Sequence, residues 1–177
     1  MKLLKSKILF VIFMTLLHPM LSCISEEEEM ENGTVELRVG DQLPDFQVRM
    51  NDGTIISNKD LLQHCSLVTF FHTQCPNCQK EFPVLQQLYE NCPYPFKMVC
   101  ISRKESATDI EKYWKAHQLT LPYSAQEDAK IYHLFAKSAI PRIYISDEDE
   151  KIRSIYTDNP IATYEELLTD IKNIVKN

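Results

Sequence analysis

A pair of cysteines separated by two residues lies between a predicted strand and a predicted helix, and it constrains the fold more than any other feature. The pair is Cys75 and Cys78. Residues 67–71, just before it, are almost continuously apolar, which is typical of a buried strand; the segment after it repeats apolar residues on one helical face, namely Phe82, Leu85, Leu88 and Tyr89. The first turn of a helix presents unpaired N–H groups and a positive dipole end, which favour a thiolate at Cys75. The sequence therefore predicts a redox-active pair at a strand-to-helix junction.

Two other interpretations of the cysteine pair are less well supported. A zinc site would need two more ligands, and the sequence has no second C-x-x-C and no H-x-x-x-H pair. A purely structural disulfide would not need a strand before it and a helix after it. We therefore predict a redox disulfide between Cys75 and Cys78, with no metal site and no cofactor.

Length and charge limit the remaining function classes. The chain has 177 residues, which is enough for one domain with a proper core plus processing segments. It carries 19 lysines and arginines against 25 aspartates and glutamates, a formal net charge of −6. Because no basic cluster is interleaved with aromatic residues, nucleic-acid binding has no support.

Residues 1–22 have the organisation of a signal peptide. Lysines precede an apolar run at residues 8–17, which is far shorter than the ~20 residues of a membrane-spanning helix. The sequence Met-Leu-Ser-Cys at residues 20–23 resembles a bacterial lipobox, although Met20 stands where leucine is usual. Cys23 is therefore predicted to be the lipid-accepting first residue of the mature chain. The alternative is cleavage by an ordinary signal peptidase, which would leave Cys23 as a spare thiol.

An acidic run, Glu26–Glu29, follows directly. Like charges repel each other and stay solvated, so residues 23–38 are predicted to be a lipid-anchored tether and residues 39–177 the folded domain. In an extracytoplasmic compartment a thiol pair must be kept reduced actively or must work as an oxidant.

The hydrophobic pattern of the domain predicts strands alternating with helices. Capping boxes are expected at Thr108 with Glu111 and at Thr163 with Glu166. The predicted order is a hairpin (46–50 and 54–57), a strand (67–72), a helix (75–91), a strand (97–102), a helix after Thr108, a short helix near 131–135, two strands (142–146 and 152–156) and a last helix. This order predicts an α/β fold with a mixed central sheet covered on both faces and an N-terminal β-hairpin.

Residues ~39–176 of the chain resemble the thioredoxin superfamily and, within it, the membrane-tethered TlpA/ResA-like thiol–disulfide oxidoreductases. The extended motif Cys75-x-x-Cys78-x-x-Glu81-Phe82-Pro83 matches that subfamily. Pro83 falls where thioredoxin-like first helices carry a kinking proline. Ile140-Pro141 before an apolar strand matches the cis-proline loop of the family.

The resemblance implies a three-layer thioredoxin-like fold and a role for each matched residue. Cys75 would be the attacking thiolate, Cys78 the resolving thiol, and Glu81 a buried acid near the pair. The alternative for Glu81 is a solvated charge on the helix surface.

The loop around Pro141 would bind the substrate chain, with Ile140 and Arg142 as its neighbours. Arg142 stands where threonine is common, so it would either favour acidic substrate segments or pair with one of the protein's own carboxylates, the second being favoured. Gln74 replaces the usual tryptophan before the first cysteine, and Thr69 stands where thioredoxin has a buried aspartate.

The resemblance also implies partners and a location. Substrates would be cysteine-containing proteins, electrons would come from a membrane thiol protein, and the lipid anchor would hold the enzyme extracytoplasmically on a membrane. Reduction of substrates is the favoured direction.

Two alternative functions are open. A peroxiredoxin-like peroxidase would have Ser or Thr three residues before its peroxidatic cysteine, where this chain has His72. A copper carrier of thioredoxin fold usually spaces its cysteines by three and adds a histidine. Both are less well supported than disulfide exchange.

Two further cysteines, Cys65 and Cys92, are expected together at the end of the domain opposite the motif. A disulfide between Cys65 and Cys92 is one alternative, but two free thiols are favoured.

Overall fold

A computed structural model of the protein describes residues 35–176. The predicted signal peptide 1–22, the predicted lipidation residue Cys23 and most of the predicted tether 23–38 lie outside the described residues. Among residues 35–176, no helix combines the length and apolar character that crossing a membrane requires.

Strands and helices alternate along the described chain. The strands are β1 (Gln47–Arg49), β2 (Ile55–Ser57), β3 (Ser66–Phe71), β4 (Lys97–Ser102), β5 (Tyr123–Ser124), β6 (Arg142–Ser146) and β7 (Ile152–Tyr156). The helices are α1 (Pro76–Asn91), α2 (Ala107–His117), α3 (Lys130–His133) and α4 (Tyr164–Lys176), and a single 3-10 turn covers Asn58–Asp60.

The central sheet of the described domain is mixed, with strand order β5-β4-β3-β6-β7. β3 lies in the middle, parallel to β4 and antiparallel to β6. All six residues of β3 are buried, which explains why its sequence is a nearly unbroken apolar run rather than an alternating one. β1 and β2 form a separate antiparallel hairpin.

Successive β3 side chains point to opposite faces, and each face has its own core. Leu67 and Phe71 belong to the core that contains residues of α1, α2 and α4, whereas Val68 and Phe70 belong to the core beneath the hairpin and α3. The predicted fold class, a mixed sheet with helices on both faces and an N-terminal hairpin, is confirmed.

The start of α2 differs from the prediction. The N-cap is Ser106, whose hydroxyl accepts the Asp109 N–H at 3.2 Å and donates to its carboxylate at 2.7 Å, so the predicted cap at Thr108 is wrong. The capping box of Thr163 and Glu166 is confirmed, with Thr163 N–H and hydroxyl donating to Glu166 Oε2 at 2.8 and 2.7 Å.

The folded part of the chain begins before residue 39. Glu36, placed in the tether by its sequence context, binds the Arg142 guanidinium and accepts the Lys137 N–H at 3.0 Å. The Leu37 N–H donates to Phe135 O at 3.0 Å. A buried arginine needs a carboxylate, which explains why an acidic residue of the predicted tether contacts the domain.

Candidate active site

The two cysteines of the motif lie at the N-terminus of α1, where β3 has just ended. Cys75 is the N-cap residue, and its Sγ accepts the Cys78 N–H at 3.4 Å. The Cys75 N–H donates to His72 O at 3.0 Å, which closes the turn between strand and helix. Pro76 occupies the first helical position, where a missing N–H costs the helix nothing.

Aromatic packing fixes the motif from both sides. Phe71, the last residue of β3, and Phe82 in α1 contact each other with ring centroids 5.5 Å apart. Both rings also lie 5.1 Å from the Trp114 ring of α2. The strand end and the helix start are therefore held together by three buried rings, which sets the position of the cysteines between them.

The two thiols differ in their access to solvent. Cys75 is half-buried, whereas Cys78 has no exposed surface. Both are free thiols. Burial raises the pKa of Cys78 above its ordinary value, and the neighbouring Cys75 and Glu81 raise it further. Cys75 can therefore be reached by another molecule, while Cys78 is shielded and holds its proton more firmly than an ordinary thiol.

Glu81 lies in the core behind the two cysteines, on the second turn of α1. Only 2% of its surface is exposed, and this burial raises its pKa to about 8. Its charge contributes to the raised pKa values of both Cys78 and Cys100, so the three groups are near enough to interact. Glu81 Oε1 has no hydrogen-bond partner among the described residues. A carboxyl group with this raised pKa is mostly protonated at neutral pH and loses its proton at slightly alkaline pH.

The loop before β6 closes the other side of the site. The Ile140–Pro141 peptide bond is cis. The Cys75 thiol donates to Ile140 O at 3.5 Å, which brings this loop against the motif. Arg142 is only 7% exposed; its guanidinium binds Glu36 and donates to Ser138 O at 3.0 Å. The favoured alternative for Arg142, pairing with one of the protein's own carboxylates, is the arrangement observed.

A groove of about 320 Å³ opens beside Cys75. Its lining residues are His72, Gln74, Cys75, Arg103, Lys104 and Ile140. The sequence analysis does not predict Arg103 and Lys104 at the site. Both residues directly follow β4, and the carboxyl ends of parallel neighbouring strands meet at the same edge of a sheet. Their position in the sequence could therefore have predicted that they lie near Cys75.

Three further cysteines lie away from the groove. Cys65 and Cys92 are both free thiols, and each packs in the core on the α1 side of the sheet. Burial raises the pKa of Cys65 to about 12, with Cys92 as an additional cause, so these two lie near each other as expected. Cys100 is buried in β4, and burial raises its pKa as well.

Comparison with known proteins agrees with this geometry. The profile of the AhpC/TSA family matches residues 39–155. A thiol-disulfide oxidoreductase ResA of Bacillus cereus is 24% identical over 118 residues, which cover 66% of this chain and 68% of the relative.

Solved structures show the same fold. The solution structure of a candidate protein disulfide isomerase from Bacteroides thetaiotaomicron superposes with a TM-score of 0.72 at 23% identity, covering 80% of this chain and 92% of the other. The exposed lipoprotein thioredoxin of Streptococcus pneumoniae superposes with a TM-score of 0.64 at 15% identity, covering 73% and 99%.

These comparisons confirm the resemblance to ResA-like thiol–disulfide oxidoreductases that the motif and the proline loop predicted. The profile covers most of the chain, including both motif cysteines and the loop at Pro141. The chain therefore belongs to the AhpC/TSA family.

Proposed function

We propose that this protein is an extracytoplasmic thiol–disulfide oxidoreductase that reduces disulfides in protein substrates through Cys75 and Cys78. The observation that carries the proposal is the difference between the two thiols: a half-buried Cys75 caps the helix, and a fully buried Cys78 lies one turn behind it. In such a pair, the exposed thiol can react with the substrate, and the buried thiol can react only with the exposed one.

The proposed reaction begins at Cys75. Its thiolate attacks one sulfur of the substrate disulfide; the substrate S–S bond breaks, and the departing substrate thiolate takes a proton. A mixed disulfide now joins Cys75 to the substrate. The Cys78 thiolate then attacks Cys75 Sγ, which breaks the mixed disulfide and releases the second substrate thiolate. Two electrons have passed to the substrate, and a Cys75–Cys78 disulfide remains for a donor dithiol to reduce.

Glu81 is proposed to accept the proton that Cys78 must lose before it attacks. The raised pKa of Cys78 means that this thiol does not ionise unaided near neutral pH. A carboxyl group whose pKa is about 8 is well matched to take and return a proton in this range. The loop of Ile140 and Pro141 is proposed to position the substrate chain against Cys75.

The reduction potential of the Cys75–Cys78 pair tests the proposed direction. We expect a value more negative than about −200 mV, in the range of reducing thioredoxin-fold proteins. A reductant needs a more negative reduction potential than the disulfides that it reduces. Equilibration with glutathione buffers, followed by thiol alkylation and peptide mass spectrometry, measures it. A value near about −120 mV, typical of a strong oxidant, would overturn the reductase direction.

The proposed location depends on Cys23. We expect the mature protein to begin at a diacylated or triacylated Cys23, because the residue directly follows the apolar segment of the signal peptide. The fold likeness to an exposed lipoprotein thioredoxin is consistent with this location. Mass spectrometry of the mature N-terminus is the measurement, and Cys23→Ala is the control that should lack the lipid. An unmodified terminus, or one at another residue, would exclude lipidation.

A further inference from the structure

Two cationic side chains line the groove beside Cys75, although the chain as a whole is acidic. Arg103 and Lys104 both line it, and none of its lining residues carries a carboxylate. The formal net charge of the chain is −6. A positive charge beside the reactive sulfur of an acidic protein is a local feature that overall composition does not predict.

Arg103 is held in the groove wall by an aromatic ring. Its guanidinium carbon lies 4.9 Å from the centroid of the Tyr132 ring, and its backbone N–H donates to Phe71 O at 2.7 Å. The Tyr132 hydroxyl in turn donates to Ala139 O at 2.7 Å, next to Ile140. The cation is therefore connected to the loop that closes the site, and no carboxylate among the described residues forms an ion pair with it.

Lys104 projects from an exposed turn at φ 61° and makes no hydrogen bond or ion pair with the described residues. Glu105 follows it but is buried, and its carboxylate accepts the Thr73 N–H at 2.8 Å and the Thr73 hydroxyl. The nearest negative charge along the chain is thus buried and bound by Thr73, although it also lies 3.7 Å from Nδ1 of the groove residue His72. A carboxylate entering the groove would meet two cations without breaking an existing ion pair.

We propose that this groove selects protein substrates whose reactive cysteine is flanked by aspartate or glutamate. The inference rests on the proposed function, because it assumes that a substrate sulfur bonds to Cys75. An extended chain advances ~3.3 Å per residue, so a side chain within about three residues of the substrate cysteine can reach a groove that borders Cys75 itself.

The charge chemistry gives this selection a physical basis. Acidic groups beside a disulfide repel an attacking thiolate, and cations at the same place offset the repulsion. Arg142 does not take part, because its guanidinium is bound to Glu36. The Arg103 guanidinium is held in one position, whereas the Lys104 ammonium group can change position because its side chain is long and flexible.

The test uses three disulfide-linked peptides that differ only in whether the residues flanking cysteine are Glu, Ser or Lys. The readout is the second-order rate at which the pre-reduced protein reduces each peptide at low ionic strength. One exposed charge pair changes such a rate by roughly two- to fivefold, so we expect the Glu peptide to react about tenfold faster than the Lys peptide. Added salt should shrink this ratio, since it screens exposed charges.

Lys104→Glu should lower the Glu-to-Lys rate ratio by about tenfold, and Lys104→Gln by an intermediate amount. Lys59→Glu is the matched control: Lys59 is exposed, and its 3-10 turn contacts Lys97 at the start of β4, at the opposite end of the sheet from Cys75. It makes the same change in net charge and should leave the ratio unchanged. Equal rates for the three peptides, or an unchanged ratio in Lys104→Glu, would overturn this inference alone. Failure of the wild type to reduce even the Ser peptide would overturn the proposed function, and this inference with it.

Discussion

Cys78→Ser is expected to accumulate covalent complexes with protein substrates, and Cys75→Ser none. Cys75 is the half-buried thiol that a substrate can reach, whereas Cys78 is fully buried behind it. Without Cys78, the mixed disulfide at Cys75 has no internal thiol to break it. Non-reducing gel electrophoresis of extracts, with and without later reduction, measures these complexes. Reduction of a disulfide-containing protein should fall by roughly a thousandfold or more in Cys75→Ser, since the nucleophile itself is lost.

Cys92→Ser provides the control for this pair of variants. Cys92 has intermediate exposure, like Cys75, but lies outside the motif at the C-cap of α1. It should neither trap substrates nor lose activity. Equal trapping by Cys75→Ser and Cys78→Ser would contradict the assigned roles.

Glu81→Gln is expected to remove a pH dependence from both stability and disulfide exchange. The Glu81 pKa is about 8 in the folded protein because of burial, against an ordinary value of 4.5. Between these pH values the folded state binds more protons than the unfolded state, so the free energy of unfolding falls as pH rises. The stabilising effect of the neutral form is complete below about pH 4.5 and lost by about pH 8.

Glutamine cannot titrate, so the free energy of unfolding of the variant should not show this fall. As the pH rises from about 5 to about 8, the free energy of unfolding of wild type should fall by roughly 2–4 kcal/mol relative to that of the variant. Urea titrations across that range measure this fall. The slope with pH is the informative quantity, because a buried amide adds a constant cost of its own. Glu165→Gln, at an exposed position of α4, should leave the slope unchanged.

The same variant should also slow exchange near neutral pH. Without a group that accepts the Cys78 proton, the resolving step should slow by about tenfold to a hundredfold near pH 7, and less at higher pH. Stopped-flow measurement of mixed-disulfide resolution gives this rate directly. Wild-type rates across roughly pH 5–9 together with an unchanged stability slope would show that Glu81 is not the proton acceptor.

Much of the fold follows from local patterns in this sequence. The apolar run of β3 and the strands Arg142–Ser146 and Ile152–Tyr156 lie where the sequence predicts them. The start of α2 was missed because two capping patterns overlap there, two residues apart, and local sequence does not choose between them. The two-residue strand β5 is too short to have a pattern of its own.

The chemistry of the motif was accessible from the sequence, but its surroundings were not. Cys75, Cys78 and Glu81 lie within two helical turns, so their spacing already places them together. Arg103 lines the groove beside Cys75 because β4 pairs in parallel with β3, which places Ser102 opposite Phe71. The partner of Arg142 is Glu36, 106 residues away. Contacts of this kind depend on topology, which local spacing does not encode.

The measurement that tests the central claim most directly is the identity of the cysteine that joins the protein to a trapped substrate. Complexes of the Cys78→Ser protein can be digested without reduction, and the cross-linked peptides sequenced by mass spectrometry. We predict that the substrate is joined to Cys75. A cross-link at Cys65, Cys92 or Cys100 instead would contradict the assignment of Cys75 as the residue that exchanges disulfides with substrates.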